Sequence, residues 1–499
     1  MLTVEAAAAL LRRRELSSVE LVRAALDRAD VFDDRLGAYV TRFDEAALAA
    51  AKRADADFAA GVDRGPLQGI PVGIKDNLFT EDGPTTAQSL VRDPSWDGRG
   101  EATAVTRLKA GGAVVLGKLT LSEFAIGPPA PGSPFPRPRN PWDLRCWPGG
   151  SSSGTGVAVA SGFVLAGLGT DSAGSIRLPA AACGITGLKP TFGRVPVSGS
   201  VPLAASLDHV GPMARSVWDC AAVLQTIAGH DESDATSLRA AVPDYLAELA
   251  APLGNPRIGV VPAGEAHPAV RDAFDAMLSV LRSLGMATVT ADLPEEQATV
   301  AATKIILSAE SFETHRSGLR SRWQDYGSAT RVRLATGAFV SDIELRRARQ
   351  QRESARRRLA ELFRSVDVVV SVTMPVPAPE YGPDDRLDRG LISAAAETVR
   401  YWSCVGYPAL AIPMGFASTG LPLSLQLAAP PLHESALLRL GHAVQRATDW
   451  HLREPPLPDT AAALTRAGIE PGADLAALAA AYQGHRRDVE ALRIEEGKA

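Results

Sequence analysis

The feature that most constrains the fold is an alternation of short apolar segments with helical segments, which runs to about residue 225. Apolar side chains alternate in "GIPVGIK", which predicts a strand that ends at Lys75, and further strands are predicted at 111–121 and 163–171. Helical patterns lie between these strands, and the first 60 residues are predicted to form helices. Such an alternation favours one α/β core.

The second half of the chain repeats the alternation more loosely. Strands are predicted at 257–261 and 366–372, with helices over roughly 295–365. Near the end, "YPALAIPMGF" and "LPLSLQLA" are expected to pair as a hairpin. A run of arginines in helix 341–363 is interpreted as a solvent-exposed face.

The predicted organisation is a single large domain followed by a short extension. Residues 1–457 are expected to form an α/β domain whose central mixed, twisted sheet carries helices on both faces. Residues 458–499 are rich in alanine and follow the segment "REPPLPD", so they are predicted to form a helical C-terminal extension.

Composition and charge exclude several classes of protein. Hydrophobic residues make up 46% and charged residues 22% of the 499 residues, as in soluble globular proteins. The net charge of −5 indicates neither nucleic acid nor an anionic membrane as a partner. No apolar run reaches the roughly 20 residues that span a bilayer, and the N-terminus lacks a signal-peptide pattern. The four cysteines have no metal-ligand spacing and are predicted to be reduced and mostly buried. A cytoplasmic location is expected.

The least ordinary stretch is "GGSSSGTG", Gly149 to Gly156, and three interpretations of it fail. A phosphate-binding loop would need lysine where Thr155 stands. A G-x-S-x-G nucleophile elbow would need a preceding strand and a partner histidine, whereas the most suitable histidine, His209, is interpreted as structural. A flexible linker would not be followed directly by a helix and a buried strand. The interpretation that remains for this segment is a serine-nucleophile mechanism of another type.

A second Gly/Ser turn, "GLGTDSAGSIRLPAA", follows the strand predicted at 163–171. Ser175 comes after Ala173 and Gly174, and small residues at these positions let backbone N–H groups converge as an oxyanion hole requires. A serine nucleophile also needs a base. Only seven of the 52 basic residues are lysines, and Lys75 ends a buried strand. Because burial favours the neutral form of lysine, Lys75 is a candidate base.

Four segments together resemble the amidase signature family: "GIPVGIKDN", "PGGSSSGTGVAVASG", "LGTDSAGSIRLPAAACGITGLKPTFGRV" and "SLDHVGP". They occur in the family's order. The resemblance covers about residues 1–457, and its most specific part, the signature core, is 65–215.

The resemblance implies a role for each matching residue. Lys75 corresponds to the general base, Ser151 to a bridging serine preceded by a cis peptide bond, and Ser175 to the nucleophile, which follows Ser151 by the family's usual 24 residues. Backbone N–H groups that stabilise the oxyanion are expected at Ser172, Ala173, Gly174 and Ser175. Supporting positions that fix the two serine loops are Ser152, Asp171 and Arg177. Two other lysines in apolar surroundings, Lys118 and Lys189, are interpreted as structural.

The function implied by the resemblance is hydrolysis of a small or medium carboxamide through a serine acyl-enzyme, without a metal ion or cofactor. The molecule it binds would be the small-molecule amide substrate, and the resemblance to the family suggests a homodimer. The alternative is a glutamine-hydrolysing amidotransferase subunit of the A type, which delivers ammonia to a partner protein. A non-catalytic scaffold is disfavoured because Lys75, Ser151 and Ser175 are all present.

Two departures from the family bear on this choice. Amidotransferase members read "TNMDEF" where this chain has "LTLSEF" at 119–124, and the segment that follows lacks their polar pattern. Both differences favour a stand-alone amidase. Ala173–Gly174 replaces the usual glycine pair, a change that some members tolerate. The substrate itself is not identified, because the pocket is expected to be built from variable loops at 80–100, 127–140 and 310–340.

Overall fold

The computed structural model describes residues 1–91, 100–127 and 132–457, so the extension predicted at 458–499 lies outside the described residues. Its centre is one eleven-stranded sheet with the strand order β1-β3-β2-β4-β6-β5-β10-β11-β9-β7-β8. The strands are β1 (Tyr39–Arg42), β2 (Pro71–Lys75), β3 (Val114–Leu119), β4 (Ala166–Thr170), β5 (Thr186–Lys189), β6 (Val210–Ala214), β7 (Arg257–Val260), β8 (Ala287–Thr290), β9 (Val368–Val372), β10 (Ala409–Phe416) and β11 (Pro422–Ala428).

Fifteen α-helices accompany the sheet in the described part of the chain. They are α1 (Val4–Arg12), α2 (Ser18–Leu36), α3 (Asp44–Ala59), α4 (Thr103–Ala110), α5 (Ser153–Ser161), α6 (Arg177–Cys183), α7 (Val217–Ile227), α8 (Tyr245–Leu249), α9 (Pro268–Ser283), α10 (Glu296–Ser321), α11 (Ser328–Ala335), α12 (Asp342–Leu362), α13 (Arg389–Ala395), α14 (Glu397–Val405) and α15 (Glu434–Ala447). No helix among the described residues is both long enough and apolar enough to cross a bilayer.

The sheet is mixed, and its two faces belong to different apolar cores. β2 pairs in parallel with β3 and β4, whereas β10 pairs antiparallel with β5 and β11. Along β10, Leu410 and Ile412 join one core cluster while Ala411 joins another, as expected for side chains that alternate between faces. Helical residues complete both clusters. The predicted α/β class, with a mixed sheet between helices, is confirmed.

The predicted strands appear with small shifts at their ends. The strand expected to end at Lys75 does so, those expected at 111–121 and 163–171 are β3 and β4, and the C-terminal pair forms the β10–β11 hairpin. All four cysteines are free and buried, as predicted. Most arginines of the run in α12 lie on an outer face, as predicted, but Arg352 is largely buried and donates to the Ser206 hydroxyl.

One prediction at the N-terminus is wrong. The first 60 residues are not entirely helical, because β1 lies between α2 and α3. Helix α2 ends at Gly37, whose φ of +61° reverses the chain and lets Tyr39 pair antiparallel with Leu119 of β3. Four residues carry too little periodicity to be recognised, and their conformation is set by this tertiary pairing.

Candidate active site

Lys75 lies at the carboxyl end of β2, and its ammonium nitrogen is buried among oxygen atoms. Nζ lies 2.8 Å from Ser151 Oγ and 2.7 Å from Thr170 Oγ1, with the Thr170 carbonyl oxygen at 3.3 Å. Burial lowers the pKa of Lys75 to about 7, against the opposing charges of Asp171 and Asp208. At neutral pH the amine is therefore neutral in a large fraction of molecules, as a general base requires.

The serine loop places Ser151 against Lys75. The peptide bond between Gly150 and Ser151 is cis, and the carbonyl of Ser151 accepts a hydrogen bond of 3.1 Å from the Ser122 N–H. Gly149 has a φ of +79°, and a Cβ there would collide with the backbone of Pro179. Glycine is thus required for the loop to approach helix α6 closely.

Ser175 lies beside this loop and is the least buried of the three predicted catalytic residues. The N–H of Ser152 donates to the Ser175 carbonyl at 3.2 Å, which holds the two serine turns together. Within the described residues the Ser175 hydroxyl makes no hydrogen bond, to Ser151 or to any other group. The structure therefore joins Lys75 to Ser151 directly and leaves the Ser175 hydroxyl open to a substrate.

The turn before Ser175 does not leave all four predicted N–H groups available. The N–H of Gly174 donates to Asp171 Oδ1 at 2.7 Å, so it is already engaged. In the described part of the chain, no acceptor faces the N–H groups of Ser172, Ala173 or Ser175. Gly174 contributes through its conformation instead, because its φ is +113° and a Cβ would overlap Val399.

Asp171 and Arg177 form a buried ion pair that holds this turn. Arg177 donates through Nε to Oδ2 at 3.0 Å and through Nη2 to Oδ1 at 3.2 Å, and both side chains are inaccessible to solvent. Burial alone would raise the pKa of Asp171, but the Arg177 charge and hydrogen bonds hold that pKa well below its usual range. Arg177 also donates to Gln426 at 2.8 Å and to Ser403 at 2.7 Å, which fastens the turn to β11 and α14.

Ser152, one of the predicted supporting residues, lies on the second side of the site. Its hydroxyl lies 3.2 Å from the Thr170 carbonyl and 3.3 Å from the Thr170 N–H, so it ties the serine loop to the end of β4. Ser172 is fixed through its hydroxyl, which donates to Asp208. Burial raises the pKa of Asp208 to about 6, so its carboxylate titrates close to neutral pH.

The residues interpreted as structural are buried, and two of them adjoin the site, since His209 Nδ1 lies 3.0 Å from the Asp171 carbonyl oxygen and Lys189 Nζ lies 3.2 Å from His209 Nε2. His209 Nδ1 lies 2.6 Å from the Leu207 carbonyl, and burial lowers the pKa of its imidazole to about 3, so the ring stays neutral. Lys189 Nζ lies 3.0 Å from the Pro190 carbonyl. Lys118 forms an ion pair of 3.3 Å with Asp76, and both side chains are fully buried.

Several residues of the site were missed by the sequence analysis. Thr170 was a detectable candidate, since it precedes Asp171 at the end of a strand that neighbours β2. Asn77 donates to Thr170 Oγ1 at 3.1 Å and follows Lys75 by two positions. Ser403 and Gln426 lie more than 220 residues from Arg177 in the chain, so no local pattern could have connected them.

A cavity of about 230 Å³ lies beside the segment that follows β3. Its lining includes Leu121, which directly precedes Ser122, and residues 88–90, 132–137 and 324–328. The last three ranges fall within the segments 80–100, 127–140 and 310–340, but the third of these is largely helical, since α10 runs to Ser321 and α11 covers Ser328–Ala335, and is not the loop that was expected. The walls combine apolar side chains with polar and charged ones, among them Gln88, Glu123 and Asp325.

Among the described residues, one group has ligand atoms close enough for a metal ion: Asp143, Cys146 and Glu380. Arg145 already forms ion pairs with both carboxylates, at 2.7 Å and 3.6 Å. Burial raises the pKa of Cys146 to about 12, so it is a thiol at neutral pH and not the thiolate that binds metals. The chemistry of these side chains does not fit a metal centre.

Comparison with known proteins gives the class of this fold and site. The sequence profile of the family described as Amidase matches residues 20–438. The chain therefore belongs to the amidase family, and the protein is an amidase-signature hydrolase.

Individual relatives extend along almost the whole chain. The A-type subunit of glutamyl-tRNA(Gln) amidotransferase from Roseiflexus sp. (strain RS-1) is 42% identical, over 92% of this chain and 98% of that protein. The native peptide amidase from Stenotrophomonas maltophilia has a similar structure, with a TM-score of 0.77 and 32% identity over 92% of this chain and 98% of that one. A structure from a vestigial protein complex that reveals the evolutionary origins of an s-triazine catabolic enzyme has a TM-score of 0.83 and 31% identity, over 89% and 98% of the two chains.

Proposed function

We propose that the protein hydrolyses the C–N bond of a small or medium carboxamide through an acyl-enzyme on Ser175, and that it does so without a partner protein. The observation that carries this proposal is the 2.8 Å contact between the buried Lys75 amine and the Ser151 hydroxyl, in a loop bonded to Ser175. Its reaction needs no metal ion or organic cofactor, because lysine and two serines supply the base and nucleophile.

In the first half of the reaction a proton moves along three side chains. Neutral Lys75 takes the Ser151 proton while Ser151 takes the proton of Ser175, whose oxygen forms a bond to the amide carbon. The π electrons move to the carbonyl oxygen, where the N–H groups of Ser172, Ala173 and Ser175 stabilise the negative charge. When the electron pair on the oxyanion re-forms the carbonyl double bond, the C–N bond breaks. The nitrogen leaves with a proton that Lys75 passes back through Ser151.

The second half repeats these steps with water. Water gives one proton through Ser151 to Lys75 and its oxygen attacks the acyl carbon. The bond to Ser175 then breaks, Ser175 recovers its proton, and the carboxylic acid product ionises in solution. Asp171 and Arg177 act as positioning residues, since they hold the turn but do not touch the reacting atoms in this scheme.

The nucleophile assignment is tested with a fluorophosphonate probe and an amide panel. Ser175→Ala is expected to abolish both labelling and ammonia release while the melting temperature stays near that of wild type. Ser161→Ala is the matched control, because this buried serine of α5 has a hydroxyl without a hydrogen-bond partner among the described residues. If Ser152→Ala removes the label and Ser175→Ala does not, the nucleophile is misassigned.

A second candidate is a glutamine-hydrolysing amidotransferase subunit of the A type, which would deliver ammonia to a partner. The observation that favours it is the 42% identity to the A-type subunit of glutamyl-tRNA(Gln) amidotransferase along 98% of that protein. The "LTLSEF" segment at 119–124 weighs against it. Purified protein is assayed for ammonia release from simple amides and from glutamine, without ATP or any added protein. Release from simple amides supports the first proposal, whereas activity that appears only with a partner protein supports the second.

The proposal also covers the location, domain organisation, substrate class and oligomeric state of the enzyme. We place it in the cytoplasm, as one domain over residues 1–457 with its signature core at 65–215, acting on a small-molecule amide and not on nucleic acid. A homodimer is the proposed state. Sedimentation at several concentrations distinguishes a dimer from a monomer.

A further inference from the structure

A small polar cavity adjoins the residues that hold Lys75. It measures about 10 Å³, and its lining includes Asn77, Thr170, Ser172 and Asp208. A cavity needs roughly 10–15 Å³ to hold one water molecule, and a buried water makes about three hydrogen bonds. Thr170 is also the residue whose hydroxyl oxygen lies 2.7 Å from Lys75 Nζ. The cavity is therefore connected to the candidate base through Thr170.

The side-chain amide of Asn77 leaves one hydrogen-bonding atom without a partner. Asn77 is 3% exposed, and its Nδ2 donates to Thr170 Oγ1 at 3.1 Å. Its Oδ1 is sealed from solvent and has no hydrogen-bond partner among the described residues. Because a buried polar atom without a partner is costly, this oxygen needs a donor from outside the described side chains and backbone.

The hydroxyl of Thr170 has the opposite need, an acceptor for its proton. In the proposed mechanism the lone pair of the neutral Lys75 amine faces the Ser151 proton, so an N–H of Lys75 donates to Thr170 Oγ1. Asn77 Nδ2 donates to the same oxygen, and a hydroxyl oxygen has two lone pairs. Both lone pairs are then filled, and the Thr170 O–H must itself donate. In the described part of the chain it has no acceptor.

Asp208 offers one further acceptor site. Its Oδ2 accepts from the backbone N–H groups of Leu203 and Ala204 at 2.8 and 3.0 Å. Its Oδ1 accepts from the Ser172 hydroxyl. A carboxylate has about four lone-pair sites, so one site on Oδ1 is still available.

Charged and titratable groups face the Asp208 loop from α10, from α12 and from the next residue in the chain. Glu310 of α10 adds to the effect of burial in raising the pKa of Asp208, and it is itself paired with Arg349 at 3.2 Å. Arg352 of α12 donates to the hydroxyl of the residue two positions before Asp208. His209 stays neutral, because burial lowers the pKa of its imidazole to about 3.

Two carboxylates, Asp171 and Asp208, act on Lys75 through their charge. Asp171 lies in the buried ion pair with Arg177, which holds its pKa well below the usual range. Burial raises the pKa of Asp208 to about 6. Of the two, only Asp208 therefore changes its charge near neutral pH.

We propose that one water molecule occupies this cavity and joins Asp208 to the base through Asn77 and Thr170. The water would donate one hydrogen to Asn77 Oδ1 and the other to Asp208 Oδ1, and it would accept the Thr170 O–H. These three bonds use the acceptor, the donor and the carboxylate site that the described residues leave free. Asp208 and Asn77 then act as positioning residues, because they reach Lys75 only through Thr170. The inference rests on Lys75 being the base in the proposed function.

A crystal structure of the wild-type protein, at a resolution that shows ordered waters, tests the site directly. One peak of density is expected in the cavity, within hydrogen-bond distance of Asn77 Oδ1, Asp208 Oδ1 and Thr170 Oγ1. A cavity without such a peak refutes the proposal. This measurement needs no variant, so it decides the question even if a substitution at Asp208 prevents folding.

The link to the base is tested by the pH dependence of fluorophosphonate labelling at Ser175, which needs the base but no amide substrate. The midpoint for wild type is expected near pH 7, the pKa of Lys75. Asp208→Asn removes a charge that stabilises the lysine cation, so the midpoint should fall by at least about half a pH unit. Labelling at pH 6, relative to its plateau, should then rise about two- to threefold. A purely structural role for Asp208 would lower the plateau and leave the midpoint where it is.

Two further variants separate the water link from charge alone. Glu310→Gln removes another carboxylate near Asp208, but one that does not line the cavity, and is expected to keep the wild-type midpoint. Asn77→Leu removes one of the atoms that would hold the water. In that background Asp208→Asn is expected to move the midpoint less than half as far as in wild type. An equal shift in both backgrounds would show that the charge acts directly through space, and the water link is then refuted.

Labelling and amide hydrolysis fail independently, so the two proposals can be told apart. If no amide is hydrolysed but the density peak and the predicted midpoints are found, the water site stands and the proposed function falls. If amides are hydrolysed and Asp208→Asn keeps the wild-type midpoint, the function stands and the water link is refuted. Circular dichroism at each pH verifies that every variant is folded.

Discussion

The pH dependence of hydrolysis is the most direct test of Lys75 as the base. The proposed mechanism uses the neutral amine as the base, and burial lowers the pKa of Lys75 to about 7. With that pKa, about a tenth of the molecules hold the neutral amine at pH 6, half at pH 7 and about nine-tenths at pH 8. The rate is therefore expected to rise about tenfold between pH 6 and pH 8 and then to level off. If Lys75 had the ordinary lysine pKa of about 10.4, the rate would still rise roughly tenfold per pH unit at pH 9.

The assay follows ammonia release from one amide between about pH 5 and pH 10, with circular dichroism at each pH to verify that the fold persists. Lys75→Arg keeps a cation at this position but cannot act as a base, so it is expected to be as inactive as Lys75→Ala. If Lys75 only stabilised negative charge, Lys75→Arg would instead retain much of the rate.

Thr170→Val provides a second variant in which Lys75 itself is intact. This change preserves the shape of the side chain but removes the oxygen that lies 2.7 Å from Nζ. Because the cationic form loses more from this than the neutral form, the pKa of Lys75 should fall further, and the rise in rate should move to lower pH. A flat profile in wild type, or an active Lys75→Arg, would refute the assignment of Lys75 as base.

Three further predictions concern the frame around the site. Gly174→Ala places a methyl group against Val399 at a φ of +113°, so kcat should fall steeply; an unchanged kcat would contradict the role given to this turn. Arg177→Met leaves the Asp171 carboxylate buried and unpaired, and is expected to cost about 3–5 kcal/mol in urea denaturation. Lys118→Met likewise leaves the Asp76 carboxylate buried and unpaired, and should lower the free energy of unfolding by a similar amount. A decrease below about 1 kcal/mol in either variant would show that the carboxylate is solvated or protonated.

The parts of the site that could be predicted from the sequence are those encoded locally. The alternation before Lys75 shows a strand that ends there, and the glycines and serines of the two turns show where two stretches of backbone approach each other closely. These patterns depend on neighbouring residues alone, so they remain visible without a structure. The strand at Tyr39–Arg42 has no such pattern, because its pairing partner lies in β3.

The oxyanion donors illustrate a limit of motif reasoning. The sequence places four N–H groups in a row before and at Ser175, and nothing in the motif distinguishes them. In the structure the Gly174 N–H already donates a hydrogen bond to Asp171, so it is not available to an oxyanion. The Asp171 carboxylate is in turn held in place by Arg177. Which N–H groups remain free is therefore decided by an ion pair that is itself fastened to Ser403, far along the chain.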